Sequence, residues 1–235
     1  MTVVVLKGAG KSFCAGYDLK IPDFAEVQKR HTGWVGDPTL EWWTDQFSRG
    51  CVRDWLNLWD LLKPVVAQVH GNCLAGGTDL ALHCDLVVAA EDARIGFPPV
   101  RSMGVPPTNM WLYHVGSQWT KRLLFTGDTI TGTEARDIGL AVATAPAEAL
   151  DDAVLELANR MALIGRDLLV ANKRVVNTGV ELMGRAQLQK FAALNDAIGH
   201  RAPQALAFSE RIGEVGLRQA VRERDAAFDP PPRTD

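Results

Sequence analysis

Short apolar runs broken by glycine and proline fill the first half of the chain, whereas apolar positions three and four residues apart dominate the second. Residues 2–6 (Thr-Val-Val-Val-Leu) are β-branched and apolar with no polar alternation, which predicts a strand buried on both faces; Gly8-Ala-Gly10 ends it. Residues 21–50 mix Pro22, Gly33, Gly36, Pro38 and Gly50 with Trp34, Trp42 and Trp43. That stretch is too broken for one regular element and too aromatic for a disordered linker, and reads as a variable segment near a ligand. Cys51, Val52, Trp55, Leu58, Trp59 and Leu62 fall at helical spacing, and Lys63-Pro64 closes that helix. Residues 64–69 predict a second buried strand, 70–77 a glycine-containing turn, 78–83 a helix and 85–90 a third strand. Strands and helices thus alternate, and residues 1–145 read as an α/β core. Beyond Pro146 the segments 147–161, 167–176, 185–198 and 204–228 have helical periodicity, so 146–229 reads as a helical region and 230–235 as a poorly ordered tail.

Composition narrows the function. Twenty-five basic residues against 28 acidic ones give a net charge of −3, short of the basic excess that phosphate contacts demand, so neither nucleic acid nor an anionic membrane surface is an expected partner. No apolar run approaches the roughly 18 residues of a spanning helix, and the first residues lack a basic leader, so a cytoplasmic protein is expected. The four cysteines include no C-x-x-C pair, which predicts reduced, buried thiols.

Several familiar motifs fail on spacing. Gly10-Lys11-Ser12 follows a strand, but a phosphate loop needs glycine where Val5 stands, and a dinucleotide fingerprint from Gly8 needs it at Phe13. His70, Cys73, His83, Cys84 and Asp85 match no common zinc spacing, and no G-x-S-x-G is present. No metal or redox cofactor is expected. Two turns carry more. Residues 12–20 (Ser-Phe-Cys-Ala-Gly-Tyr-Asp-Leu-Lys) follow one strand, and residues 72–79 (Asn-Cys-Leu-Ala-Gly-Gly-Thr-Asp) join another strand to a helix. Each exposes backbone N–H groups, and two such groups converging form an oxyanion hole. Asp79 falls in the first turn of the following helix, where it serves either as a base or as an anion favouring the positive end of the helix dipole; spacing leaves both roles open.

Residues 3–19, 63–71 (Lys-Pro-Val-Val-Ala-Gln-Val-His-Gly), 74–80 and Cys84-Asp-Leu86 occur in the order and spacing of the enoyl-CoA hydratase/isomerase (crotonase) superfamily, which the chain resembles. Leu124-Phe-Thr-Gly-Asp-Thr-Ile130, Ala135 and Gly139-Leu140 resemble its next segment. The resemblance implies a crotonase-like spiral of β-β-α turns, a C-terminal helical trimerisation region, a homotrimer or hexamer, and an acyl-CoA thioester as substrate, with coenzyme A entering only as part of it. By position it assigns the oxyanion donors to the backbone amides of Tyr17 and Gly76 and the acid/base to Asp79. It puts Ala15, Tyr17, Asp18, Leu19, Lys20 and Gly76 against the CoA and thioester, and Val100 and Trp111 at the acyl pocket.

The chain also departs from that family. Hydratases of the family carry a second carboxylate in a later turn, which here reads Gly96-Phe-Pro-Pro-Val-Arg-Ser-Met-Gly104 and puts Pro99 or Val100 where the glutamate is expected. The acid of dienoyl-CoA isomerases falls on Thr108. The resemblance places the family's first β-β-α turn ahead of the strand that Met1 opens, so that turn is expected to be missing. Three readings follow: Asp79 acting as the single acid/base in isomerisation or hydration, a thioester or C–C hydrolase with His70 or His114 assisting, or a binding protein without chemistry. The tryptophans in 34–43, with Trp111 and Tyr113, point either to a broad, ring-containing acyl group or to core packing.

Overall fold

The computed structural model describes residues 2–17 and 52–228. In chain order the elements are β1 (Val4–Lys7), α1 (Val52–Trp59), β2 (Val65–Val69), β3 (Asn72–Leu74), α2 (Gly76–Leu82), β4 (Leu86–Ala90), β5 (Arg94–Gly96), α3 (Trp111–Thr126), β6 (Thr129–Thr131), α4 (Gly132–Asp137) and β7 (Ala143–Ala145). Five helices follow: α5 (Leu150–Ala162), α6 (Arg166–Leu182), α7 (Arg185–Gly199), α8 (Pro203–Val215) and α9 (Leu217–Ala226). One parallel sheet has the order β1-β2-β4-β7. In the second sheet, β3 pairs in parallel with β5 and β5 antiparallel with β6.

The central strand β2 is buried along its whole length between two parallel partners, with its one polar residue, Gln68, bonded to Asp151. β1 corrects the expectation of a strand buried on both faces. Among the described residues it stands at the sheet edge, its residues alternate between half-buried and exposed, and Val5 is 39% exposed. The predicted turn at 70–77 contains a strand, β3, whose three residues are too few for periodicity to reveal; β5, β6 and β7 escape for the same reason. The single helix expected over 204–228 is two, separated at Gly216, whose φ of 80° belongs to the left-handed region. The core between sheet and helices holds Val65, Val66, Val69, Val88, Trp111 and Leu123, with Leu150 and Val154 from α5.

The C-terminal helices are tied to this core by polar contacts as well as packing. Lys173 on α6 donates to Asp85 Oδ2 at 2.8 Å and to the carbonyls of Leu58 and Lys63 at 3.3 Å. The same Asp85 oxygen accepts the Val65 N–H at 2.7 Å, so one carboxylate fastens the start of β2 to α6. Asn177 adds a bond to the Trp59 carbonyl at 3.0 Å. No helix of the described residues is long and apolar enough to cross a membrane.

Lys173→Met leaves the half-buried Asp85 carboxylate without its cation and is expected to cost about 2–3 kcal/mol in chemical denaturation. Arg122→Ala, which breaks the more exposed pair with Asp128, is expected to cost less than about 1 kcal/mol. Equal losses in the two variants would contradict this account of how α6 is held.

Candidate active site

The two turns singled out in the sequence lie against each other. Phe13 N–H donates to the His70 carbonyl at 2.8 Å, Cys14 N–H to the Asn72 carbonyl at 3.0 Å, and Leu74 N–H to the Cys14 carbonyl at 2.9 Å, so the first loop runs alongside β3 with Cys14 opposite Cys73. Glycine at 77 permits this approach, because a Cβ there would collide with the Cys14 carbonyl. Ala75, a non-glycine residue at φ 53°, precedes α2 in a strained conformation of the kind that clusters at functional sites. Gly76 is the first residue of α2, so no helical carbonyl takes its N–H. The Tyr17 ring lies over it, 2.9 Å from where a Gly76 Cβ would stand.

Asp79 projects from the first turn of α2 and is 1% exposed. It does not cap its helix: Asp79 Oδ1 accepts the Thr108 hydroxyl instead. Its other oxygen, Oδ2, is buried without a partner. Burial pushes the carboxyl up to about 7, while hydrogen bonds from Thr108 pull in the opposite direction. A carboxyl that binds and releases a proton near neutrality, with one oxygen uncommitted, is equipped for acid/base chemistry.

The neighbouring imidazole and thiols are neutral. Burial pushes His83 down to about 4, so its Nδ1–H donates to the Asp79 carbonyl at 2.7 Å while Nε2 faces the Gln189 amide at 3.3 Å. Gln189 is held in turn by Arg185 at 2.5 Å. Trp55 on α1 stands between Tyr17 and His83, with ring centroids 6.0 and 6.1 Å away. Burial raises the Cys73 thiol well above its ordinary value and Cys84 to about 12, keeping both protonated.

The other sequence candidates divide clearly. Ala15 is exposed beside Tyr17, whereas Asp18, Leu19 and Lys20, like Trp34, Trp42 and Trp43, lie outside the described residues. Val100 is half-buried in the 3-10 turn Pro98–Arg101. Trp111 is fully buried in the core with its Nε1 unpartnered. His70 is engaged with the Gly10 carbonyl at 2.9 Å and His114 with that of Leu82, on the Asp79 helix, at 3.0 Å. His70, His83, Cys84 and Asp85 each bond to a separate backbone or Lys173 partner, so they do not converge as a ligand set. Sequence reasoning missed Thr108 as the hydroxyl partner of Asp79 and missed Trp55, because each arrives from a different element; it also missed His83, which caps the end of α2 one turn beyond Asp79 and bonds back to the Asp79 carbonyl.

This parallel α/β core with its surrounding helices is the crotonase fold. The chain belongs to the enoyl-CoA hydratase/isomerase family, whose model matches residues 1–211. A crystal structure of an enoyl-CoA hydratase from Mycobacterium smegmatis superposes with a TM-score of 0.87 at 38% identity, covering 96% of this chain and 78% of that one. A crotonyl-CoA hydratase of Syntrophomonas wolfei is 30% identical over 96% of this chain and 80% of its own length. A probable mitochondrial enoyl-CoA hydratase of Dictyostelium discoideum is 29% identical over 76% of this chain and 60% of its own length. Against that relative the chain spans about three fifths of the protein.

Because the folded Asp79 carboxyl holds its proton up to about 7 whereas an unfolded aspartate releases it near 3.8, the native state binds the extra proton between those values. Stability from this group is therefore full below about 4 and is lost as pH rises through 7. Asp79→Asn escapes that loss. Its advantage over wild type in thermal or urea unfolding is expected to widen between pH 4 and 7, to on the order of 3–4 kcal/mol. A gap that does not change with pH would refute the raised carboxyl.

Proposed function

We propose that the protein is an acyl-CoA-processing enzyme of the hydratase/isomerase type in which Asp79 is the single acid/base. The observation that carries the reading is the buried Asp79 carboxyl, with Oδ2 uncommitted, at the start of the helix whose first N–H is that of Gly76. In this reading the thioester oxygen accepts from the backbone N–H groups of Tyr17 and Gly76. As Asp79 removes the proton on the carbon next to the carbonyl, the electron pair moves onto that oxygen, and the two N–H groups hold the resulting enolate. In a 3-enoyl thioester the charge extends over the double bond, so the proton returns from Asp79 to the far carbon and the double bond shifts into conjugation. One carboxyl takes and returns the same proton, which suits a site lacking acids at Pro99, Val100 and Thr108. The segment from Ala15 through Lys20 would meet the CoA portion.

The exposed apolar residues Leu163, Leu168, Val175, Leu182, Met183 and Phe191 of the C-terminal helices support assembly into a homotrimer or a hexamer.

The test is turnover of crotonyl-CoA and a trans-3-enoyl-CoA, with products identified by mass spectrometry and the active species sized by light scattering. Hydrated or isomerised product from a particle of three or six chains is expected, with Asp79→Asn losing about 10²–10⁴-fold in kcat while still binding the thioester. Free CoA as the product would replace this reading with a hydrolase, and tight binding without conversion would replace it with a binding protein.

A further inference from the structure

A second buried carboxyl reaches this corner from the far end of the chain. Asp196 on α7 is 3% exposed, and its Oδ1 accepts the N–H of Val105 at 2.8 Å. Glycine at 104 is what lets it in: a Cβ there would collide with that oxygen and stand 3.1 Å from the His200 ring. Gly199 on the same helix is equally close, since its Cβ would lie 3.1 Å from the Gly104 Cα. The helix therefore rests directly on the backbone just before Val105-Pro106-Pro107-Thr108. Those four residues begin at the bond to Asp196 and end at the hydroxyl donated to Asp79. The two prolines fix φ, and they are buried together with Thr108, so the segment transmits a displacement rather than absorbing it.

We infer that Asp196 is a positioning residue for Asp79: it pins the Val105–Thr108 segment so that the Thr108 hydroxyl stays on one carboxyl oxygen and leaves the other free to react. This rests on the reading of Asp79 as the acid/base. The surrounding charges agree with it. Burial and the Asp79 charge together raise the Asp196 carboxyl to about 8, so it is mostly protonated while Asp79 ionises. On its own helix, His200 donates to the Asp196 carbonyl at 2.9 Å, its Nδ1 lies 3.5 Å from Oδ1, and burial lowers its basicity. On the Asp79 side the Cys73 thiol is kept protonated by burial. Asp196 thus holds its backbone partner without setting a second full charge beside the reactive group.

Three variants separate position from charge. Asp196→Asn keeps an acceptor for the Val105 N–H, Asp196→Ala removes it, and Gly104→Ala displaces the carboxyl without altering it. With an enoyl-CoA that the wild type converts, kcat is expected to fall about 10²-fold in Asp196→Ala and Gly104→Ala. KM is expected to stay within about threefold, and Asp196→Asn to restore most of kcat. Loss of the Thr108 bond should also move the acid limb of the kcat/KM profile upward from about pH 7 in the two impaired variants and not in Asp196→Asn. A second arm needs no turnover: carboxyl NMR of protein labelled with ¹³C-aspartate should show the Asp79 midpoint rising in Asp196→Ala and the Asp196 midpoint falling in Asp79→Asn. Wild-type kcat in both alanine variants, or an Asp79 midpoint indifferent to Asp196→Ala, overturns the inference. If the wild type converts no enoyl-CoA, the acyl-CoA reading fails by itself and the carboxyl titrations decide whether Asp196 positions Asp79.

Discussion

A carboxyl group buried with a single side-chain hydrogen bond is costly to keep, and in this protein the surroundings of Asp79 are arranged around that cost. Removing an ionised carboxylate from water is unfavourable by several kcal/mol unless charge or hydrogen bonds replace the solvent. Here the replacement is partial: Thr108 serves one oxygen, and the other has nothing. The group answers by holding its proton to about 7. The neighbours conform, with His83 neutral, Cys73 protonated, and the imidazole committed to the Asp79 main chain rather than to its side chain. Chemistry near neutral pH becomes available because the site withholds full solvation.

Keeping such a group dry and in place requires that distant elements agree on its position. The C-terminal helices provide this through polar contacts at several points: Lys173 to Asp85, Gln189 to His83, and Asp196 to Val105. Arg101 adds a bond from the 3-10 turn to Asp225 on α9 at 3.1 Å. Hydrophobic burial alone tolerates small slips between a helix and a sheet, whereas a hydrogen bond of fixed length does not. The helical half of the chain is thereby part of the site's architecture. Its apolar outer face, with Val175 73% exposed and Leu182 84% exposed, is left over from that task.

What the sequence reveals follows from how local each feature is. The strands β2 and β4 are long enough for their apolar residues to declare them, and the crotonase blocks are contiguous, so the candidates Tyr17, Gly76 and Asp79 come from two short turns. The three-residue strands carry no period, and the edge position of β1 depends on which strands flank it, information that a run of valines does not contain. Thr108 lies 29 residues from Asp79, and Asp196 lies 91 from Val105. Thr108 stands at a position where the family resemblance looks for an acid and so reads as a loss, Asp196 belongs to no motif, and each acquires its meaning only from what the fold brings beside it. Gly104 is the sharpest case, because its lack of a side chain has meaning only once α7 is laid against it.

The central claim is that Asp79 exchanges a proton with the carbon next to a thioester carbonyl while two backbone amides hold the enolate. A saturated thioester such as butyryl-CoA isolates that step, having no double bond to hydrate or shift. Incubated with the protein in D₂O and followed by NMR, it should acquire deuterium at the carbon adjacent to the carbonyl, at one of the two hydrogens, and should acquire none with Asp79→Asn. Binding of butyryl-CoA with no exchange by the wild type, or exchange that survives in Asp79→Asn, would contradict the account.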